Sequence, residues 1–296
     1  MMTILDHKVS SFRQLLSKGF GVDVAGGDAY DGWLSFFRTA TAKTFADLSF
    51  DEFRMLSSVK AHGPFAVEVN GALNAAKSAI EKPTAIGTPI NSELKLDRGD
   101  DTWRGGSENN KVHAGGGNDV VVAGAGNDTV NGGRGNDLIF GGEGNDSVIG
   151  GAGNDTVFGG DGRDIIRGWS GDDFIFGGSG NDGLYGAEGN DTIFGGDGND
   201  YICAGSDHDM VYGGRGRDTF AFRGDPPNSV TVIKDFEVMY DRQGIKSSVA
   251  GGHLSVDMIK PYQNGLMIDF GQGRALCYEG VWDATALFSS MYLLEA

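Results

Sequence analysis

Twelve aspartates recur at intervals of nine residues: Asp119, Asp128, Asp137, Asp146, Asp155, Asp164, Asp173, Asp182, Asp191, Asp200, Asp209 and Asp218. Each is the sixth residue of a nine-residue phrase, typified by GGEGNDSVI from Gly141 to Ile149, which runs twelve times from Ala114 to Ala221 without insertion or deletion. Glycines in the first, second and fourth places, with Asn usually fifth, permit the positive backbone angles of a tight turn. Such a turn aims several carbonyl oxygens into one small space beside the carboxylate. Like-charged aspartates brought close together demand a counter-cation. Carboxylate and carbonyl oxygens at about 2.3–2.6 Å are what Ca²⁺ accepts, whereas Mg²⁺ requires a tighter octahedron. With two cysteines and five scattered histidines, the chain offers no transition-metal cluster.

The elements that position these aspartates follow from the rest of the phrase. The eighth residue is always apolar: Val121, Val130, Ile139, Val148, Val157, Ile166, Ile175, Leu184, Ile193, Ile202, Val211 and Phe220. The last three residues read as extended, with the eighth side chain inward and its neighbours outward. One copy is thus a turn plus a short strand, and two copies make one coil. Stacked coils place identical turns about 4.8 Å apart, the spacing of adjacent strands. A degenerate stretch, 96–113, precedes the clean copies in the same phase, and no proline lies between Ile90 and Asp225, as a parallel ladder requires. Some copies depart from the phrase: Ala114, Ala123 and Ala204 stand in the first place, and Asp207 and His208 in the fourth and fifth. Metal sites near both ends should be weaker for it.

Charge divides the chain into three. Residues 1–95 hold ten acids and ten bases, 96–221 hold 22 acids against 8 bases, and 222–296 hold 9 against 6. The acidic array repels nucleic acid and anionic lipid. The first segment has helical apolar spacing, as in Phe12, Leu15 and Leu16, then Trp33, Leu34, Phe36 and Phe37, which predicts a small helical segment over 1–95. The third opens with Pro226 and Pro227 and alternates through VTVI from Val230 and LMIDF from Leu266, with Asn264-Gly265 as a turn. It reads as a short β-rich cap over 222–296 that closes with a helix from Asp283 to Leu294. Cys203 and Cys277 read as two free thiols or one disulfide. No apolar run is long enough to span a bilayer, and MMTILDHKVSSFRQ lacks an apolar signal-peptide core.

Alternate copies differ on their outward faces. Position nine of one set reads Val122, Phe140, Phe158, Phe176, Phe194 and Tyr212, and position seven adds Val120, Leu138, Phe174 and Met210. The other set carries Asn131, Ile149, Arg167, Tyr185, Cys203 and Ala221 at position nine. An apolar ladder of that length wants a cover. The helical segment, the tail, a second copy and a surface partner are the candidates.

The phrase resembles the glycine-rich nonapeptide of the RTX (repeats-in-toxin) family, which forms a Ca²⁺-binding parallel β-helix. The resemblance covers 114–221 in full and 96–113 in degraded form. It implies a mainly β protein, a right-handed parallel β-roll over 96–221. It also implies that sixth-position aspartates and turn carbonyls of copies i and i+2 hold each Ca²⁺, with up to about ten ions in all. By the same resemblance the chain is secreted and extracellular, leaves through a type I secretion apparatus by an uncleaved C-terminal signal, and folds where calcium is plentiful.

Catalysis is not expected. There is no H-E-x-x-H, and Gly168-Trp169-Ser170-Gly171 belongs to a repeat turn rather than a nucleophile elbow. The expected role is a calcium-binding structural or adhesion module with a cell-surface or glycan partner. The alternative is a small secreted hydrolase or host-directed effector with its activity in residues 1–95.

Overall fold

The computed structural model describes residues 85–86 and 93–294, apart from 224–227, 249 and 251–252. The chain coils into a mainly β parallel solenoid of about 8 turns with almost no helix. Each coil contributes one strand to a 12-stranded sheet and one to a 10-stranded sheet. The eighteen-residue step sets the register: Val121 pairs with Ile139 and Ile139 with Val157 in one sheet, Val130 with Val148 and Ile166 with Leu184 in the other. Slipping by one residue would turn every core side chain outward, so the pattern admits one pairing.

The core lies between the sheets and is built from the eighth residues, which are 0–3 % exposed. Burying each such side chain contributes about 1.5–3 kcal/mol. The strands are longer than the three residues expected. Val120–Ala125 and Thr129–Arg134 each run from position seven to position three of the next copy. The extension depends on glycine at position two, where Gly124 has φ 113° and Gly133 φ 115°. Where the grammar fails, Trp169 (φ 91°) and Ala187 (φ 93°) are forced into the same region.

The stack begins before Leu96. Glu93–Lys95 lies eighteen residues ahead of Lys111–His113 and pairs with it, and Ala85–Ile86 pairs with Trp103–Arg104. These five residues are strand rather than part of a helical segment, because they share the phase of the array. Residues 1–84, with the apolar stripes read from the sequence, lie outside the described residues.

Both sheets also continue beyond Ala221. Val230–Ile233 and Arg242–Lys246 add to the two ladders, and Arg274–Glu279 and Met291–Leu294 add to those. An antiparallel hairpin, Ile259–Tyr262 with Gly265–Gly271 about the Asn264-Gly265 turn, ends the larger sheet. The closing helix is shorter than expected, Ala284–Ser289, capped by Asp283, which accepts from the Thr285 and Ala286 amides. Met291–Leu294 is instead a strand, since an open sheet edge offers those amides partners. Cys203 and Cys277 are free thiols on different sheets.

Candidate metal centre

The twelve aspartates stand in two columns, one on each edge of the solenoid. Asp119, Asp137, Asp155, Asp173 and Asp191 precede strands of the 12-stranded sheet, and Asp209 lies within one, His208–Arg215. Asp128, Asp146, Asp164, Asp182, Asp200 and Asp218 precede strands of the other. All twelve are buried, at 0–3 % exposure.

Within a column each carboxylate has a divided role. The backbone N–H of one aspartate donates to Oδ1 of the aspartate eighteen residues on: Asp119 to Asp137 at 2.8 Å, Asp137 to Asp155 at 2.8 Å, Asp146 to Asp164 at 2.8 Å, Asp200 to Asp218 at 2.9 Å. Oδ1 therefore holds the coils together. The other oxygen, Oδ2, is buried without a hydrogen-bond partner in eleven of the twelve. Asp209 is the exception, its Oδ2 lying 3.4 Å from the Thr231 hydroxyl, which donates to it.

The first glycine of each phrase shows where Oδ2 points. It does not supply a positive φ, contrary to the expectation from the grammar; positions two and four do. It is needed for space. A Cβ on Gly141 would lie 2.5 Å from Asp146 Oδ2 and 2.6 Å from the Gly159 carbonyl oxygen, and one on Gly159 or Gly177 would meet the equivalent pair of oxygens of its own coil and the next at 2.5 Å. A carboxylate oxygen and a main-chain carbonyl oxygen of the next coil thus converge beside each such glycine. Alanine occupies this place at Ala114, Ala123 and Ala204.

Position five adds a second ladder running the other way. The Asn136 N–H donates to Asn118 Oδ1 at 2.7 Å, and that of Asn154 to Asn136 Oδ1 at 2.8 Å. Asparagine here does more than tolerate a turn: it ties each coil to the one before.

Electrostatically the columns are hostile to bare charge. Burial pushes the carboxyls of Asp137, Asp146, Asp155, Asp182, Asp191 and Asp218 up to about 7. It pushes those of Asp164, Asp173 and Asp200 up to about 8. The hydrogen bond from the neighbouring amide opposes the shift but is the smaller influence, and adjacent column members such as Asp146 and Asp182 around Asp164 raise it further. These groups therefore need either a proton or a cation at neutral pH. Among the described residues no group of three or more His, Cys, Asp or Glu side chains converges. A cation here must take main-chain oxygens as well as carboxylates, a hard donor set that fits calcium.

One sequence model matches this region. It is the RTX calcium-binding nonapeptide repeat (4 copies), over residues 97–130, 123–157, 149–184 and 185–220. Residues 97–220 are an RTX array. RTX repeats bind calcium, and the orphaned Oδ2 oxygens fit that ligand. No curated protein matches the chain.

The RTX columns reach beyond the twelve residues read from the sequence. Upstream, the amides of Asp101 and Asn110 donate to Asp119 and Asp128 Oδ1 at 2.8 and 2.6 Å. Downstream, Asp241 Oδ1 accepts the Asp218 N–H at 3.0 Å and its Oδ2 accepts the Glu237 N–H at 2.7 Å. Asp241 is buried, and its carboxyl is pushed up to about 6, chiefly by burial. It takes the sixth place one coil past the array but lies 23 residues after Asp218, so a strict nine-residue count passes over it. The strand that follows it, Arg242–Lys246, reads RQGIK and has no polar–apolar alternation to point back to it.

Proposed function

We propose that this is a secreted RTX protein whose array folds on meeting extracellular Ca²⁺ and then serves as a binding or structural module. One observation carries the reading: eleven buried aspartate oxygens without a hydrogen-bond partner, in two registered columns, beside glycine carbonyls. The twelve position-six aspartates are the proposed ligands, with turn carbonyls completing each site and up to about ten ions bound.

The coupling of metal to fold follows from the electrostatics. Ionising a carboxyl raised from 3.8 to about 7 costs the folded state roughly 4 kcal/mol. Two or three such groups would cancel the ~5–15 kcal/mol that stabilises a domain. When bound, calcium supplies the positive charge that offsets this cost. The chain's own part is to hold each carboxylate by its Oδ1 hydrogen bond and to keep position one clear of a Cβ. In a compartment poor in free calcium the columns oppose folding, which suits export of an unfolded chain through a type I apparatus by a signal within 222–296.

A Ca²⁺ titration followed by circular dichroism, with Mg²⁺ as control, tests the reading. β-structure should appear with calcium and far less with magnesium; equal folding in chelator would overturn it. Native mass spectrometry of the loaded chain counts the ions. Export is checked by removing 222–296 and following release through a type I channel.

For the module's partner we infer a cell-surface glycan, met by the 10-stranded sheet. There Arg167 stacks over Tyr185 at 5.2 Å, Arg223 over Tyr201 at 5.8 Å, and Trp169 is 60 % exposed despite its strained backbone. Flat aromatic faces beside arginine donors suit sugar rings and their hydroxyls. Trp169→Ala should abolish binding on a glycan array and leave the calcium titration unchanged. Retained binding would remove this assignment.

The RTX repeat is typically non-catalytic. A hydrolase or effector reading places its activity in residues 1–95, of which only 85–86 and 93–95 lie among the described residues.

A further inference from the structure

The 12-stranded sheet carries an aromatic column on its outer face. Phe140, Phe158, Phe176, Phe194 and Tyr212 stack one per coil at centroid spacings of 4.6–4.9 Å and within 4–7° of parallel. Phe174 packs edge-on against Phe176 at 4.6 Å. These are position-nine side chains, on the opposite side of each strand from the eighth-residue core, and they are not part of that core. Yet they are 5–9 % exposed.

Stacking alone does not bury side chains to that degree in this fold. At the same position on the 10-stranded sheet, Ile149, Arg167, Tyr185 and Cys203 stay half-buried, and nearby Ile165 is 40 % exposed. The burial of the aromatic column therefore calls for a cover outside the sheet. Among the described elements, the strands that carry it touch chiefly their sheet neighbours and the strands just before and after them in the chain. The candidates for a cover are the stretches beyond the described residues. Of the stretches that qualify, 87–92, 224–227, 249, 251–252 and 295–296 are too short to reach across five rings.

We propose that residues 1–84 of the same chain dock on this column. The segment leads directly into Ala85–Ile86, the end strand of that very sheet. Residues 1–95 balance ten acids with ten bases, so the segment meets no net repulsion from the acidic array. Its Phe12, Leu15 and Leu16, and its Trp33, Leu34, Phe36 and Phe37, supply the apolar stripes that a flat aromatic face would bury. The two apolar surfaces are complementary parts of one molecule.

The test uses the full chain. A photo-crosslinking p-benzoylphenylalanine in place of Phe176 keeps an aromatic ring in the column. In the calcium-loaded monomer its adducts should map to peptides within 1–84. Adducts joining two copies would assign the face to self-association, and adducts confined to 93–294 would leave the segment undocked; either overturns the proposal. A second measurement compares Phe158→Arg with Tyr185→Arg on the opposite sheet. Loss of docking should speed proteolytic cleavage within 1–84 about tenfold in the first variant and not in the second. Equal cleavage rates in the two variants would also overturn it. Should Phe158→Arg not fold, the crosslinking result decides.

Discussion

Replacing Asp164 by asparagine should stabilise the protein without calcium and lose that gain with it. In the wild-type fold the Asp164 carboxyl is pushed up to about 8 from 3.8, first by burial and then by Asp182 and Asp146. At about pH 7.5 its protonation on folding costs roughly 1.36 kcal/mol for each pH unit above 3.8, or about 5 kcal/mol. Asparagine removes that cost and keeps the side-chain oxygen that accepts the Asp146 amide at 2.8 Å. Its NH₂ then occupies the unpartnered place of Oδ2, which returns roughly 1–3 kcal/mol of the gain. In chelator the variant should therefore be about 2–4 kcal/mol more stable than wild type. In calcium that gain is offset to about zero, because Asp164 borders two gaps between coils. A site of about 10⁻⁴ M contributes about 1.4 kcal/mol at millimolar Ca²⁺, so losing two costs roughly 3 kcal/mol. The assay is urea unfolding by circular dichroism, in millimolar Ca²⁺ and in chelator with enough trimethylamine oxide to fold the wild-type chain. Equal destabilisation in both media would refute the reasoning, since Asp164 would then be a structural hydrogen-bonding residue and not a ligand.

Acidity should act with a sign that depends on the metal. Without calcium, the folded pKa values of about 7–8 exceed the unfolded 3.8, so stability is full below 3.8, falls as pH rises from there to 7–8, and is regained on acidification; far-UV spectra in chelator at falling pH check this. With calcium the same protons compete with the ion, and the calcium midpoint should rise as pH falls from about 8 to 6. Ala187→Gly should raise the unfolding midpoint by about 1 kcal/mol equivalent, because Ala187 holds φ 93° and lies in no aspartate column. Asp241→Ala removes acceptors for the Asp218 and Glu237 amides at 3.0 and 2.7 Å, each worth roughly 1.5–3 kcal/mol, so hydrogen exchange at those amides should accelerate more than at Asp155.

The aspartate columns were legible because the repeat is strict. A period of eighteen residues per coil makes Asp137 stack on Asp119, and the apolar eighth residue chooses the inward face. Asp241 and Thr231 were not legible. They follow their column neighbours by 23 and 22 residues, and the loops that absorb the difference follow no grammar. The same holds for the short closing helix. Met291–Leu294 is apolar enough for either state, and it becomes strand only because Gln243–Lys246 presents an open edge.

What the sequence alone determined is the coil, the pairing of its strands, the core and the line of carboxylates with their calcium chemistry. All of these follow from local turn preference and periodicity, which a repeat multiplies until one register survives. Only the tertiary structure decided how each carboxylate is shared, with Oδ1 bound to the preceding coil and Oδ2 left for a cation. It alone assigned the first glycine to open space instead of backbone angle, and it alone showed that the aromatic column is buried while the side chains at the same position of the opposite sheet are half-buried. Those outcomes depend on atoms of neighbouring coils meeting at van der Waals distance. No period in a single strand can encode that.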